Sequence, residues 1–222
     1  MQFEILEKPT FSVLKIILEP AESYRAEAGA MIAMSSNIEL QAKTSGKGLL
    51  GSIKAAVGGE SFFASLYVCH SKPGELWLAP GTIGDIIHTK LNGRIFAQGG
   101  AYLAGTPDLT ISTKGSFKAM ISGEGLFLQE ISGTGDVFFG SYGTVIERTL
   151  GHGETFIVDT GHIVAFEESV HYSIKKASKG IFSSIASGEG LVCEYTGPGK
   201  IWMQTRNLSA FAQLLMRFIP TK

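Results

Sequence analysis

The stretch Gly100-Ala101-Tyr102-Leu103-Ala104-Gly105-Thr106-Pro107-Asp108-Leu109-Thr110-Ile111-Ser112-Thr113-Lys114 decides the fold. A glycine opens a short apolar run, a Gly-Thr-Pro-Asp turn follows, and from Leu109 onward apolar and polar residues alternate. Strict period-two alternation marks a strand with one buried face, and Gly, Pro and Asp mark the turn that precedes it. The same pattern stands at Gly29-Ala30-Met31-Ile32-Ala33 and at Gly161-His162-Ile163-Val164-Ala165. Nine residues beyond each of those glycines begins an alternation, Ile38, Leu40, Ala42 in one case and Val170, Tyr172, Ile174 in the other. Lys43, Lys114 and Lys175 follow the three alternations directly.

Further out, the match continues through Lys-Gly pairs at 47–48, 114–115 and 179–180. Gly-Glu pairs come next, and their glutamates, Glu60, Glu124 and Glu189, are spaced 64 and 65 residues apart. Each pair opens an apolar strand, at Phe62-Phe63, Leu126-Phe127-Leu128 and Leu191-Val192-Cys193. Each strand is expected to turn at a glycine, Gly74, Gly135 or Gly199, and to return through bulky residues. So many landmarks in one order exclude coincidence: the chain is an internal repeat. We expect an all-β fold, one domain over residues 1–222 built from three pseudo-symmetric repeats at about 1–90, 91–150 and 151–222. A few short strands cannot bury both faces of their own sheet, so the copies are expected to pack as a three-sided β-prism. Ala33, Ala104 and Ala165 share one repeat position and mark places where sheets approach closely. Residues 3–18 read as one or two opening strands, and Leu208, Phe211, Leu214, Leu215 and Phe218 form the stripe of a short C-terminal helix. Such a stripe is expected to cap an open end of the sheets, with partner binding as the alternative.

Composition agrees. Among 222 residues, 28 glycines and 18% charged residues suit short strands and tight turns rather than a helical bundle. A net charge of −1 counts against nucleic acid as a partner, because phosphate binding needs a basic excess. Cys69 and Cys193 form no C-x-x-C and read as buried thiols of a reducing compartment. No basic-then-apolar leader follows Met1, and no apolar run is long enough to span a bilayer, so a cytoplasmic protein is expected.

Chemistry is harder to find. His70, His88, His152, His162 and His171 form neither H-x-H nor H-E-x-x-H, so no metal site is expected. Pro80-Gly81-Thr82-Ile83-Gly84 is similar to part of a cupin motif but lacks its histidine. Gly46-Lys47-Gly48-Leu49-Leu50-Gly51 matches G-x-G-x-x-G, yet that motif needs a strand-to-helix setting, so no cofactor is expected. No nucleophile elbow is present, and no catalytic residue is assigned. Glu60, Glu124 and Glu189 admit two readings: a ring binding a ligand or cation, or carboxylates satisfying the backbone of their turns. Leu49, Leu50, Ile53 and Val57, flanked by Lys47 and Lys54, form an amphipathic segment that would either touch a membrane surface or protein partner or pack on its own domain.

Two of these stretches also carry a resemblance. Gly48-Leu49-Leu50-Gly51 followed by Gly58-Gly59-Glu60-Ser61-Phe62-Phe63, and Trp202-Met203-Gln204-Thr205-Arg206-Asn207 before the helix, resemble the signatures of a bacterial family related to the mitochondrial protein altered inheritance of mitochondria 24. The resemblance implies a fold similar to the tryptophan RNA-binding attenuation protein (TRAP-like), a double-stranded β-helix sandwich repeated three times. It implies no catalytic residues, and a link to inner-membrane organisation in the mitochondrial branch. The function expected is a non-enzymatic binding or scaffold protein, meeting a membrane surface or a protein partner and self-associating as a homo-oligomer. The alternative is a small-molecule- or ion-binding protein, or an enzyme, with its site between repeats near the Gly-Glu turns.

Overall fold

The computed structural model describes residues 2–42, 64–114, 127–175 and 192–219. Within them the protein is mostly β-sheet with one short helix. The opening residues form β1 (Gln2–Leu6) and β2 (Val13–Leu18), an antiparallel pair. β3 (Ser23–Glu27), β4 (Met31–Met34) and β5 (Ile38–Ala42) follow, then β6 (Ala64–Cys69) and β7 (Gly74–Leu78). In β2 and β7 the alternation sends Leu14, Ile16, Leu18, Leu76 and Leu78 into the interior, none more than 1% exposed.

β8 (Ile86–Gln98) is a 13-residue strand that leads into β9 (Tyr102–Gly105) and β10 (Thr110–Lys114). β11 (Leu128–Gly140) has the same length and pairs with β8 end to end, from Leu128 opposite Gln98 to Gly140 opposite Ile86. The turn expected at Gly135 is therefore a continuous strand. The long partner carries the pairing through, and Gly133 and Gly135 absorb the departure at φ +130° and +155°, angles that side chains with a Cβ rarely adopt. The last strands are β12 (Val145–Leu150), β13 (Thr155–Asp159), β14 (Ile163–Glu167), β15 (His171–Lys175), β16 (Val192–Thr196) and β17 (Gly199–Gln204). The helix α1 (Leu208–Met216) closes the order.

The β8–β11 ribbon is the centre of the molecule because it feeds three hydrophobic clusters. Ile86 and Phe138 join Leu14, Tyr24, Tyr67 and Leu76 in the first. Leu91, Ile95, Ile131, Val137 and Phe139 build the second with Tyr102 and Trp202. Leu128 enters the third with Leu150, Ile163, Phe166, Tyr195 and Ile201. Two antiparallel joints tie the segments laterally. β3 meets β9 through Arg25 opposite Gly105 and Ala26 opposite Ala104. β8 meets β14 through Ala97 opposite Ala165 and Phe96 opposite Phe166. Ala104 and Ala165 are fully buried at these joints, as is expected where strands crowd, and so are Ala26 and Ala97 opposite them, whereas Ala33 is exposed. Ala33 lies in β4, which pairs with β7 on one side. Among the described residues the sheets are not closed.

Where three chain segments cross, a polar knot replaces apolar packing. The Ser12 hydroxyl donates to Asp85 Oδ1 at 3.1 Å, and the Ile86 N–H donates to the same oxygen at 2.7 Å. The Ser141 hydroxyl accepts from the Asp85 N–H at 3.1 Å and lies 2.9 Å from the Gly143 carbonyl, to which it donates. Gly84 and Gly143 form a parallel bridge here, and a Cβ on Gly84 would overlap the Ser141 carbonyl. Ser12, Asp85 and Ser141 are all buried.

Candidate functional site

The residues singled out as a ligand site, Glu60, Glu124 and Glu189, lie outside the described residues. So do the membrane or partner candidates Leu49, Leu50, Ile53 and Val57. Their segments, 43–63, 115–126 and 176–191, join β5 to β6, β10 to β11 and β15 to β16. The two cysteines are free and buried, and burial pushes the Cys193 thiol up.

Each stretch of the Trp202–Asn207 signature is engaged in positioning. Trp202 Nε1 donates to Glu147 at 2.8 Å across the β12–β17 pair. Gln204 accepts from the Tyr142 N–H at 2.8 Å and donates to the Gly161 carbonyl at 3.0 Å. The Thr205 hydroxyl accepts from the Thr144 N–H at 3.0 Å. Asn207 caps α1 by accepting from the Ala210 N–H at 3.2 Å, the role expected of Asn in that place. Beside this cap lies a cavity of about 160 Å³, with Thr82, Gln98, Tyr142, Gln204 and Asn207 on its wall. The signature thus holds the last strand against its neighbours and sets the direction of the helix.

The helix is the feature that departs most from expectation. It does not pack as a cap: α1 buries none of its residues. Phe211 is 42% exposed, Leu214 48%, Leu215 46% and Phe218, just beyond the helix, 78%. Among the described residues its ring neighbour is Tyr142, 6.0 Å from Phe211 between centroids. Ser209 and Gln213, four residues apart, and Arg217, four further on, form a single polar line, with leucines, phenylalanine and methionine around the rest. Three consecutive apolar residues, Leu214, Leu215 and Met216, cannot share one stripe, which is the sequence signal that a single packed face would have left some of them in water.

A histidine–carboxylate pair escaped the sequence reading. His88 Nε2 lies 2.7 Å from Asp136 Oδ1, and the His88 ring packs against Phe3 and Phe138 at centroid distances of 4.5 and 4.9 Å. A hollow of about 160 Å³ beside it is lined by Leu18, Glu22, Tyr24, Thr106 and Asp136. Thr106 is committed to the Asp136 backbone at 2.8 Å, and among the described residues no hydroxyl or thiol hydrogen-bonds His88. The pair fastens β8 to β11. The two residues are 48 apart in the chain and meet only because β8 and β11 are paired, so spacing could not reveal them. Among the described residues no three His, Cys, Asp or Glu side chains gather as a metal would require.

Glu27, at the end of β3 next to the first joint, carries a pH signature. Burial raises its pKa to about 7. A carboxyl raised above its unfolded value stabilises the fold while protonated. That contribution is complete below about pH 4.3, the unfolded value, and is lost as pH rises through 7. Glu27→Gln is therefore expected to raise the melting temperature at pH 8 and leave it nearly unchanged at pH 4. Thermal melts of both proteins at the two pH values check it, and equal shifts at both would refute the assignment.

The described residues thus form an all-β framework with open strand edges, a buried polar knot and an exposed apolar helix. The profile of the family described as mitochondrial biogenesis AIM24 matches residues 3–206, and the chain belongs to that family. It is similar to an uncharacterised protein of Streptococcus pyogenes serotype M6, with 33% identity over 231 aligned residues that cover 100% of this chain and 92% of the relative. Its fold is similar to a Streptococcus pyogenes protein solved by X-ray crystallography at the Northeast Structural Genomics Consortium. The TM-score is 0.82 at 32% identity, with 98% of this chain and 99% of that chain covered.

Proposed function

We propose that the protein is a non-enzymatic scaffold or binding protein of the cytoplasm, organised as three TRAP-like pseudo-symmetric copies, that associates peripherally with an anionic membrane surface through α1. The observation that carries this reading is the helix itself, whose leucines and phenylalanines stand in solvent. Exposed contiguous apolar surface of this kind marks an interaction site rather than a resting surface. Charge favours a lipid occupant: from Arg206 to the end the chain has three basic residues, Arg206, Arg217 and Lys222, and no acidic one, within a protein whose net charge is −1. No helix among the described residues is long and apolar enough to cross a membrane, so α1 would lie in the interface rather than span it.

Burying one Leu or Phe side chain from water contributes roughly 1.5–3 kcal/mol, so removing two should weaken binding at least tenfold. The test is co-sedimentation of the full chain with vesicles of phosphatidylglycerol and phosphatidylcholine. The wild type is expected in the pellet, less so at high salt, and the Phe211→Asp, Leu215→Asp variant in the supernatant with an unchanged circular dichroism spectrum. A wild type that remains in the supernatant overturns the membrane reading.

A further inference from the structure

Every segment leaves some strand edges open, and most of them are open alike. β5, β10 and β15 each pair on one side only among the described residues, with β6, β11 and β16. β4 and β13 are different. Counting from Gly29, Gly100 and Gly161, β4 corresponds to β9 and β14, and β13 corresponds to β3 and the second half of β8. Both counterparts of β4 lie in a joint, sandwiched between two strands, and all four residues of β9 are buried. All four residues of β4 are exposed, with Ile32 at 54%. Across the open side of β13, Ile157 is 45% exposed. Among the described residues the molecule thus makes one kind of joint twice and presents both halves of a third, unmade.

We propose that β4 of one molecule pairs with β13 of a second copy of this chain, repeating between molecules the joint already made twice within each. The inference rests on the three-copy reading above. Its register follows from that correspondence. Ala26 opposite Ala104 and Ala97 opposite Ala165 translate to Val158 opposite Ala33. Arg25 opposite Gly105 and Phe96 opposite Phe166 translate to Ile157 opposite Met34. Strand edges ask for backbone donors and acceptors, which a lipid surface cannot supply, whereas a strand of complementary register supplies both. Because the two halves differ, the contact is head-to-tail, and copies add in one direction until a ring closes or a filament grows.

Met34 and Ile157 are exposed, so cysteine at either is tolerated, and facing Cα atoms of an antiparallel pair fall within disulfide range. Met34→Cys and Ile157→Cys proteins, mixed and oxidised, are expected to give a covalent dimer that neither gives alone. In light scattering the wild type is expected above the mass of one chain, and Ile157→Lys is expected to raise the dissociation constant at least tenfold. The joint between copies is overturned if the mixture stays uncrosslinked, if the wild type is a monomer, or if a Met34→Cys, Ile157→Cys double variant links only within one chain. An Ala26→Cys, Ala104→Cys protein separates this failure from that of the underlying reading. It should close an intrachain disulfide, and if it does while the mixture does not, the three-copy correspondence stands and only the intermolecular joint falls.

Discussion

Phe166→Ala is expected to destabilise the protein by about 3–5 kcal/mol, the range for truncating a buried phenylalanine in a core that relaxes only in part. Phe166 is fully buried and sits at the joint of β8 and β14, directly opposite Phe96. Its ring stacks on Phe96 at 5.3 Å and meets Tyr172 and Tyr195 edge-on or tilted at 5.2 Å each. Removing it empties the third cluster and unfastens one lateral joint in the same step. In a chain of this size each kcal/mol shifts the melting temperature by about 2–4 °C, so a loss of at least 6 °C is expected by calorimetry. A shift under 2 °C would mean that the joint contributes little and the three clusters fold independently.

Asp85→Ala follows close behind, at about 2–4 kcal/mol, for a different reason. Its Oδ1 accepts from the Ser12 hydroxyl and the Ile86 N–H, and Lys8 Nζ lies 3.4 Å away. Ser12 and Asp85 are buried, so alanine leaves a buried hydroxyl and a buried N–H without their acceptor. Orphaned buried donors cost about 1–3 kcal/mol each, while the exposed Lys8 recovers water. Chemical denaturation checks it, with Asp85→Asn as the companion: an amide oxygen can still accept, so Asn should recover about half of the loss. Equal losses for Ala and Asn would locate the effect in charge rather than in hydrogen bonding.

Much of the framework was legible because strand identity is a local property. The alternation begun at Ile38 is β5, that at Leu109 yields β10 one residue later, and that at Val170 yields β15 likewise. The glycines before Trp77 and Trp202 do open β7 and β17. Gly135 shows the limit of the method: as a residue it looks like a turn, yet inside a 13-residue ladder with β8 it stays in the strand. Cysteine burial was readable from type alone. The polar knot was not, since Ser12, Asp85 and Ser141 come from three distant stretches and none looks unusual in its own.

What the amino-acid sequence determined on its own is the all-β class, the position of most strands and the C-terminal helix, since each follows from short-range periodicity and spacing, while the family followed from the resemblance of two signature stretches. That the helix leaves its apolar residues exposed, which strands meet laterally, and which edges stay open were decided only by the tertiary structure. The physical reason is that burial belongs to pairs of surfaces. Ala33, Ala104 and Ala165 read alike in the chain, but a neighbouring strand covers two of them and none of the described strands covers the outer side of the third.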